Sequence, residues 1–260
     1  MRSDALVHLD SSELVKVALG DPSTVTLVHE ALERRDPDGA AARLLSDAYA
    51  RGQAPGWLVA VLLGGCRHML GYQTVRAILL DAPGSLAESY AGPALVRIAG
   101  PAALDDLIEI QSNAPRRDAR DGAAYGLGKL GSPEALDAVL AATMSRKIRW
   151  RTGAYILGNA SPDEGLVLEL LASGDAFRTR LATEIAWACV VSVPVDATDP
   201  PALEARPSAA LLDALEPTVS TMSVNSRKRE VLAAWLRAHE GRARPVSGDL
   251  DSGRRSAGQS

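Results

Sequence analysis

The chain has 260 residues, of which 47% are hydrophobic and 23% charged, and its formal net charge is −4. These values are typical of a folded globular protein, and the acidic balance argues against a nucleic-acid backbone as the main partner, because phosphate neutralisation needs an excess of Lys and Arg. Two cysteines without CxxC spacing exclude a disulfide framework. Aromatic residues make up only 4%, and no segment alternates apolar and polar residues, so we predict an all-α fold.

Residues 1–56 have apolar helical spacing after Ser11-Ser12 and after Ser23, interrupted by Asp-Pro pairs at 21–22 and 36–37. We expect two or three helices here that cap the N-terminal end of the fold. The first residues lack the apolar stretch of a signal peptide, and no run reaches the roughly 18 apolar residues that a membrane span needs. The sequence therefore favours a cytoplasmic protein without a membrane partner.

Residues 57–192 contain a repeat of about 30 residues. The tyrosine, leucine and glycine at 125, 127 and 128 recur 30 residues later, and the run RIAGPAALD at 97–105 aligns with KLGSPEALD at 129–137. Such periodicity indicates a solenoid of stacked helical pairs. We predict ten helices between residues 57 and 191, arranged as five antiparallel hairpins.

Proline and glycine mark the expected helix ends within each unit. The first helix begins at a proline such as Pro133, whose missing N–H is harmless in a first turn, and the second ends at a glycine such as Gly71 or Gly131. Gly122 and Gly126 fall inside a second helix, where each weakens helix propensity by roughly 1 kcal/mol relative to Ala. We explain them by close approach of a neighbouring helix.

The run RDGAAYGLGKLGSPEAL at 120–136 resembles the HEAT repeat in its short form, named after phycobilisome lyases, which typically reads VRxxAAxALGxLGDxxA. The similarity is strong around Tyr125 and Tyr155 and weaker around residues 68, 97 and 185. The resemblance implies a right-handed α-α superhelix, an α-solenoid of HEAT-like helical hairpins. In such arrays the second helices line the concave surface.

The outward positions of the second helices form rows that run from repeat to repeat. Tyrosines flanked by cations are typical of protein-binding surfaces, although tyrosines in such rows can also simply cover the neighbouring helix. A basic row at 68, 97 and 129 fits either an acidic partner or a solvated stripe. We expect the partner-binding residues on the concave face to be Arg97, Asp121, Tyr125, Lys129, Trp150, Arg151, Tyr155 and Asn159.

Residues 193–240 are predicted to form a Pro-rich loop followed by a C-terminal helical cap. In the last repeat the outward positions of the second helix become apolar, at Leu181, Ile185 and Cys189. Because soluble proteins seldom leave such a patch open, we predict that the C-terminal helices, including the one near 226–240, pack over Leu181 and Ile185. The alternative is that this patch is itself the partner site. Residues 241–260 lack apolar periodicity and are predicted to be a disordered tail.

Sequence patterns for catalysis are weak. The chain has no phosphate-binding loop and no Gly-x-Ser-x-Gly elbow, and its four histidines are scattered. His-Glu pairs at 29–30 and 239–240 are similar to the metal-binding pairs of deoxyhypusine hydroxylase, a HEAT-type di-iron enzyme, but they number two rather than four and lie outside the repeats. We therefore expect no catalytic residue, cofactor or metal.

Trp150, flanked by Arg149 and Arg151 and close to Asp121, is similar to the Trp and Asp that HEAT-like alkylpurine DNA glycosylases place on their concave face. Those enzymes need a broadly basic channel, which a net charge of −4 does not favour. The simpler interpretation is that Trp150 packs at the start of its helix while both arginines stay solvated.

The sequence thus predicts a HEAT-repeat interaction or scaffold module that binds a protein or peptide on its concave face. The first alternative is a phycobilisome-lyase-like enzyme, or a chaperone-like lyase, acting on a protein-bound ligand. Nucleic-acid binding is a third alternative. An isolated deep pocket lined by Tyr125, Trp150 and Tyr155 would instead favour a small ligand. The identity of the partner and the oligomeric state stay open.

Overall fold

The computed structural model of the chain describes residues 6, 8–81, 85–160, 164–191, 207–224 and 226–240. These residues form fourteen α-helices and no strand, which confirms the predicted all-α class. They belong to two compact units, Met1–Ser161 and Pro162–Ser260. The packing of each helix against its neighbours is consistent with an α-solenoid, whereas the right-handed superhelix stays a prediction. The expected disordered tail at 241–260 and almost all of the Pro-rich loop lie outside the described residues.

The first unit has ten α-helices in two layers. The even-numbered helices stack on one another from α2 to α10, and each odd-numbered helix packs against the even-numbered helix that follows it. Short 3₁₀ turns precede α2, α5 and α7. The bounds are α1 Ser11–Gly20, α2 Val25–Leu32, α3 Ala40–Ala50, α4 Gly56–Cys66, α5 Tyr72–Asp81, α6 Ser85–Ala99, α7 Leu104–Asn113, α8 Arg117–Leu130, α9 Pro133–Met144 and α10 Trp150–Ala160.

The described residues of the second unit form four α-helices, α11 Glu164–Ala172, α12 Ala176–Val191, α13 Ala209–Thr221 and α14 Arg227–Glu240. α11 packs against α12, and α14 packs against both α12 and α13. Leu181 and Ile185 of α12 are buried, as are Leu232 and Leu236 of α14. The expected packing of α14 on α12 is confirmed, and whether α14 itself covers Leu181 and Ile185 stays a prediction.

The repeat region differs from the predicted count of helices. The described residues between 57 and 191 contain nine α-helices, α4 to α12, rather than ten. The reason is that α4 is the second helix of its pair. The first helix, α3, ends before residue 57 and packs against α4.

Helix ends follow the proline and glycine signals in one repeat and depart from them in another. Pro133 opens α9 behind Ser132, whose hydroxyl accepts from the N–H of Ala135 at 3.3 Å, and Gly131 ends α8 with φ of 65°. α4 does not end at Gly71. Its left-handed capping residue is Arg67, with φ of 51°, and Gly71 instead lies in the 3₁₀ turn before α5.

Glycines bring the backbones of α6 and α8 into direct contact. A methyl group added at Gly92 would lie 1.9 Å from the carbonyl oxygen of Gly122, and one added at Gly126 would lie 2.8 Å from the carbonyl oxygen of Gly92. A methyl group at Gly122 would lie 2.6 Å from the carbonyl oxygen of Glu88. The explanation of Gly122 and Gly126 by close helix approach is confirmed, and Gly92 is the matching residue on α6.

Candidate functional site

Tyr125 of α8 and Tyr155 of α10 form an edge-to-face pair whose ring centroids are 6.3 Å apart. Tyr155 is 48% exposed, whereas Tyr125 is half-buried. Burial raises the pKa of Tyr125, although a hydrogen bond with Thr152 acts in the opposite direction. The two tyrosines that the repeat places in one row therefore touch, and they present one aromatic surface, which we call the tyrosine pair.

Basic and polar side chains on α8 and α10 flank the tyrosine pair. The guanidinium of Arg151 lies 5.3 Å from the ring centroid of Trp150, within the range of a cation–π contact, and Arg151 is exposed. Asn159 is also exposed, and its amide donates to the carbonyl of Tyr155 at 2.6 Å. Lys129 on α8 is exposed as well.

Arg97 has a different environment, because its guanidinium donates to Glu33, the residue directly after α2, at 2.6 Å. Arg67 donates to the same carboxylate at 2.9 Å, and the two arginines hold the pKa of Glu33 below its usual value although burial opposes them. The cation of Arg97 is therefore already paired within the protein, in a partly exposed cluster with Glu33 and Arg67.

Asp121 is not an exposed row residue, which corrects the expectation from helical spacing. It is 4% exposed, and it accepts hydrogen bonds from the backbone N–H of Arg149 at 2.8 Å and from the guanidinium of the same residue. The segment before α10 returns over the start of α8 and covers this side chain. Arg149, expected to be solvated, also pairs with Asp118 and so joins α8 to α10.

A second inter-repeat ion pair has the same arrangement one repeat earlier. Glu88, in the first turn of α6, accepts a hydrogen bond from Arg116, which directly precedes α8. Arg149 directly precedes α10 in the same way, and both pairs are separated by 28 residues along the chain. In each case an arginine ahead of a second helix contacts an acidic residue on the preceding second helix.

A cavity of about 90 Å³ lies among the first turns of α6, α8 and α10. Asp118 and Arg149 of its wall are partly exposed, whereas Glu88 is buried, so the cavity runs from the surface inward. Trp150 and Tyr155 are not among its lining residues. The lining residues are Glu88, Ser89, Asp118, Asp121, Gly122, Tyr125, Arg149 and Thr152.

The sequence analysis missed Glu88, Arg116, Asp118 and Arg149 as site residues. One signal was available, namely that Arg116 and Arg149 each stand directly before a second helix and 28 residues after an acidic residue. Repeat alignment on apolar and glycine positions did not use it.

Other chemically reactive side chains have structural environments. His29 Nδ1 lies 2.8 Å from the carbonyl oxygen of Val61, and burial lowers its pKa. Burial raises the pKa of Cys66, and it raises that of Cys189 to about 12. Within the described ranges, no group of three or more His, Cys, Asp or Glu side chains could hold a metal ion. None of the helices described is both long enough and apolar enough to cross a membrane.

Comparison with protein families gives a match to the hairpin of α8 and α9, which includes Tyr125. Residues 119–143, which span most of α8 and α9, match the family model described as PBS lyase HEAT-like repeat. No curated protein and no solved structure matches the chain. The family match, together with the stacked helical pairs around it, supports a HEAT-like repeat protein.

Proposed function

We propose that this chain is an interaction module that binds a protein or peptide at the tyrosine pair of α8 and α10. The observation that carries the proposal is the contact between Tyr125 and Tyr155 across two repeats, with Tyr155 48% exposed. Tyrosine combines a large apolar surface with a hydroxyl that hydrogen-bonds, and it is enriched among residues that dominate binding energies.

The surroundings of the tyrosine pair fit a polar peptide surface. Arg151 and Lys129 supply exposed cations, and Asn159 supplies an exposed amide, so the rim offers charge and hydrogen bonds around an aromatic centre. This arrangement corresponds to the apolar centre and polar rim of protein interfaces. We expect the partner to bind on the concave face of the repeats and the complex to be cytoplasmic.

The test is affinity capture from the native host with the full chain, followed by mass spectrometry and direct measurement of the affinity for the captured partner. Tyr125→Ala combined with Tyr155→Ala should weaken binding by about 2 kcal/mol or more, close to thirtyfold, as expected when binding-energy anchors are truncated. Circular dichroism must show that the double variant keeps its helices.

Tyr90→Ala is the matched control, because Tyr90 on α6 is 43% exposed and lies outside the tyrosine pair. We expect the control to bind the partner as the wild type does. A folded double variant with unchanged affinity would show that the partner binds elsewhere.

A further inference from the structure

The cavity among α6, α8 and α10 is lined by Glu88, whose carboxylate has one buried oxygen without a hydrogen-bond partner in the described residues. Glu88 is 2% exposed, and its Oε1 accepts from the guanidinium of Arg116. Its Oε2 is buried and accepts no hydrogen bond from any residue in the described part of the chain. Burying such an oxygen without a donor is unfavourable, because it loses its hydration without replacement. A donor that enters the cavity would therefore be stabilised.

The other charges around the cavity do not supply that donor. Arg149 donates to both Asp118 and Asp121, and Arg116 is directed to Oε1 of Glu88. The cavity region thus holds three carboxylates, those of Glu88, Asp118 and Asp121. It holds only two guanidinium groups, those of Arg116 and Arg149. The deficit is one positive charge, and it falls at Oε2 of Glu88.

The wall and the volume of the cavity suit the same kind of ligand. Tyr125 contributes an aromatic side chain to the lining, and aromatic faces attract ammonium and guanidinium groups. A volume of about 90 Å³ exceeds the roughly 15 Å³ that one water needs, so there is room for the end of a side chain. An anionic group would instead meet the uncompensated carboxylate.

We propose that this cavity binds the cationic end of a Lys or Arg side chain. The bound ammonium or guanidinium donates to Oε2 of Glu88 and packs against Tyr125, which lines the cavity and is also a member of the tyrosine pair. That this Lys or Arg belongs to a binding partner rests on the proposed function, because the residue would lie in a segment bound at the tyrosine pair. Recognition of the cationic group itself depends only on the cavity.

Protonation of Glu88 should control this binding. Burial raises the pKa of Glu88 to about 7, with Asp118 acting in the same direction and Arg116 and Arg149 opposing. Asp121 lines the same cavity. At pH 8 the carboxylate is mostly ionised and attracts a cation, whereas at pH 6 it is mostly protonated and neutral. The affinity for a cationic probe should therefore rise with pH over this range.

The experiment is a titration of the full chain, labelled with ¹⁵N, with Nα-acetyl-arginine N-methylamide and Nα-acetyl-lysine N-methylamide. Saturable shifts are expected at the amide of Gly122, which lines the cavity, with millimolar dissociation constants for at least one probe. The citrulline analogue has nearly the shape of arginine without its charge, and it should bind at least about tenfold more weakly. Wild-type affinity at pH 6 should be about tenfold lower than at pH 8.

Two variants complete the test. Glu88→Gln should lose the binding of both cations, whereas Glu169→Gln, an exposed residue of α11 in the second unit, should bind as the wild type does. Equal binding of the citrulline analogue, unchanged binding by Glu88→Gln, or no shift at Gly122 with either cation would overturn the proposal. The pH series uses the wild-type protein, so it decides the question even if Glu88→Gln fails to fold.

The proposed function can fail separately. If the cationic probes bind and the double tyrosine variant still captures the partner, the cavity is a cation site and the tyrosine pair is not the docking surface. If the tyrosine variant loses the partner while no probe binds, the docking surface stands and the cation site is rejected.

Discussion

The pairs Glu88–Arg116 and Asp121–Arg149 are equivalent contacts between successive repeats, but their carboxylates are hydrogen-bonded to different extents. In both, an arginine directly before a second helix reaches an acidic side chain on the preceding second helix. Asp121 receives a backbone N–H as well as the guanidinium, whereas one oxygen of Glu88 lacks a donor in the described residues. We call the Asp121–Arg149 pair the closed link, and the Glu88–Arg116 pair, with its oxygen that lacks a donor, the open link. The same contact can thus stabilise the fold at one repeat and leave a carboxylate oxygen open to a ligand at another.

The difference comes from side-chain length and from the helices that carry the link. The shorter Asp121 lies within reach of the N–H of Arg149 and so helps to anchor the start of α10. The longer Glu88 accepts from Arg116 through one oxygen only, and the guanidinium of Arg116 also donates to the carbonyl of Leu80 at 3.2 Å. The open link lies where α6 and α8 touch through glycine backbone, beside the cavity.

The largest effect should come from separating the helices that hold the open link. Gly92→Ala places a methyl group 1.9 Å from the carbonyl oxygen of Gly122, and we expect the free energy of unfolding to fall by about 3 kcal/mol in urea denaturation. Gly20→Ala is the control, because nothing lies within 4 Å of the added methyl group. It should be neutral or stabilising by up to about 1 kcal/mol. Equal stability of the two variants would contradict the backbone contact.

The closed link should cost less to remove. Asp121→Ala deletes the acceptor of the Arg149 N–H and one partner of its guanidinium, so we expect a loss of about 2 kcal/mol in thermal or urea unfolding. Asp137→Ala, an exposed position of α9, should change stability by about 0.5 kcal/mol or less. An Asp121 variant as stable as this control would mean that the link is only a surface contact.

The open link should have an effect of similar size, and one that depends on pH. Because the folded-state pKa of Glu88, about 7, lies above its ordinary value of 4.5, the folded protein binds this proton more tightly and loses stability as pH rises between those values. Glu88→Gln removes that loss. Its stability relative to wild type should therefore improve from pH 5 to pH 8, by an amount on the order of 2 kcal/mol. A difference that is constant or decreases with pH would refute the assignment.

The sequence predicted the architecture more fully than the site. Repeat spacing and composition were sufficient for the all-α class, the stacked helical pairs and the close approach at Gly122 and Gly126, because these depend on local periodicity. The same periodicity wrongly placed Asp121 on an open face, since it describes one helix and not the segment that returns over it. Arg67 likewise ends α4 in a conformation that glycine usually adopts, four residues before the expected Gly71.

Ion pairs between repeats could not be predicted from hydrophobic spacing, for a physical reason. Whether Arg149 meets Asp121 depends on the path of a short connection and on the reach of two side chains, neither of which hydrophobic spacing describes. The tyrosine pair was predictable as two residues in one row, because successive second helices stack in register. Its contact with a cavity was not, because the cavity is lined by residues of three successive second helices and depends on how those helices pack.

The glycine contact between α6 and α8 also has a consequence for the order in which the first unit opens. In a repeat array, the free energy needed to expose a helix is mainly that of its interfaces with neighbouring helices. Two backbones held in contact leave little room for water or for independent fraying, so amide protons of α6 and α8 should exchange with solvent last. α1 and α10, at the two ends of that unit, would exchange earlier. The most slowly exchanging part of the unit would then lie in its interior, directly beneath the cavity.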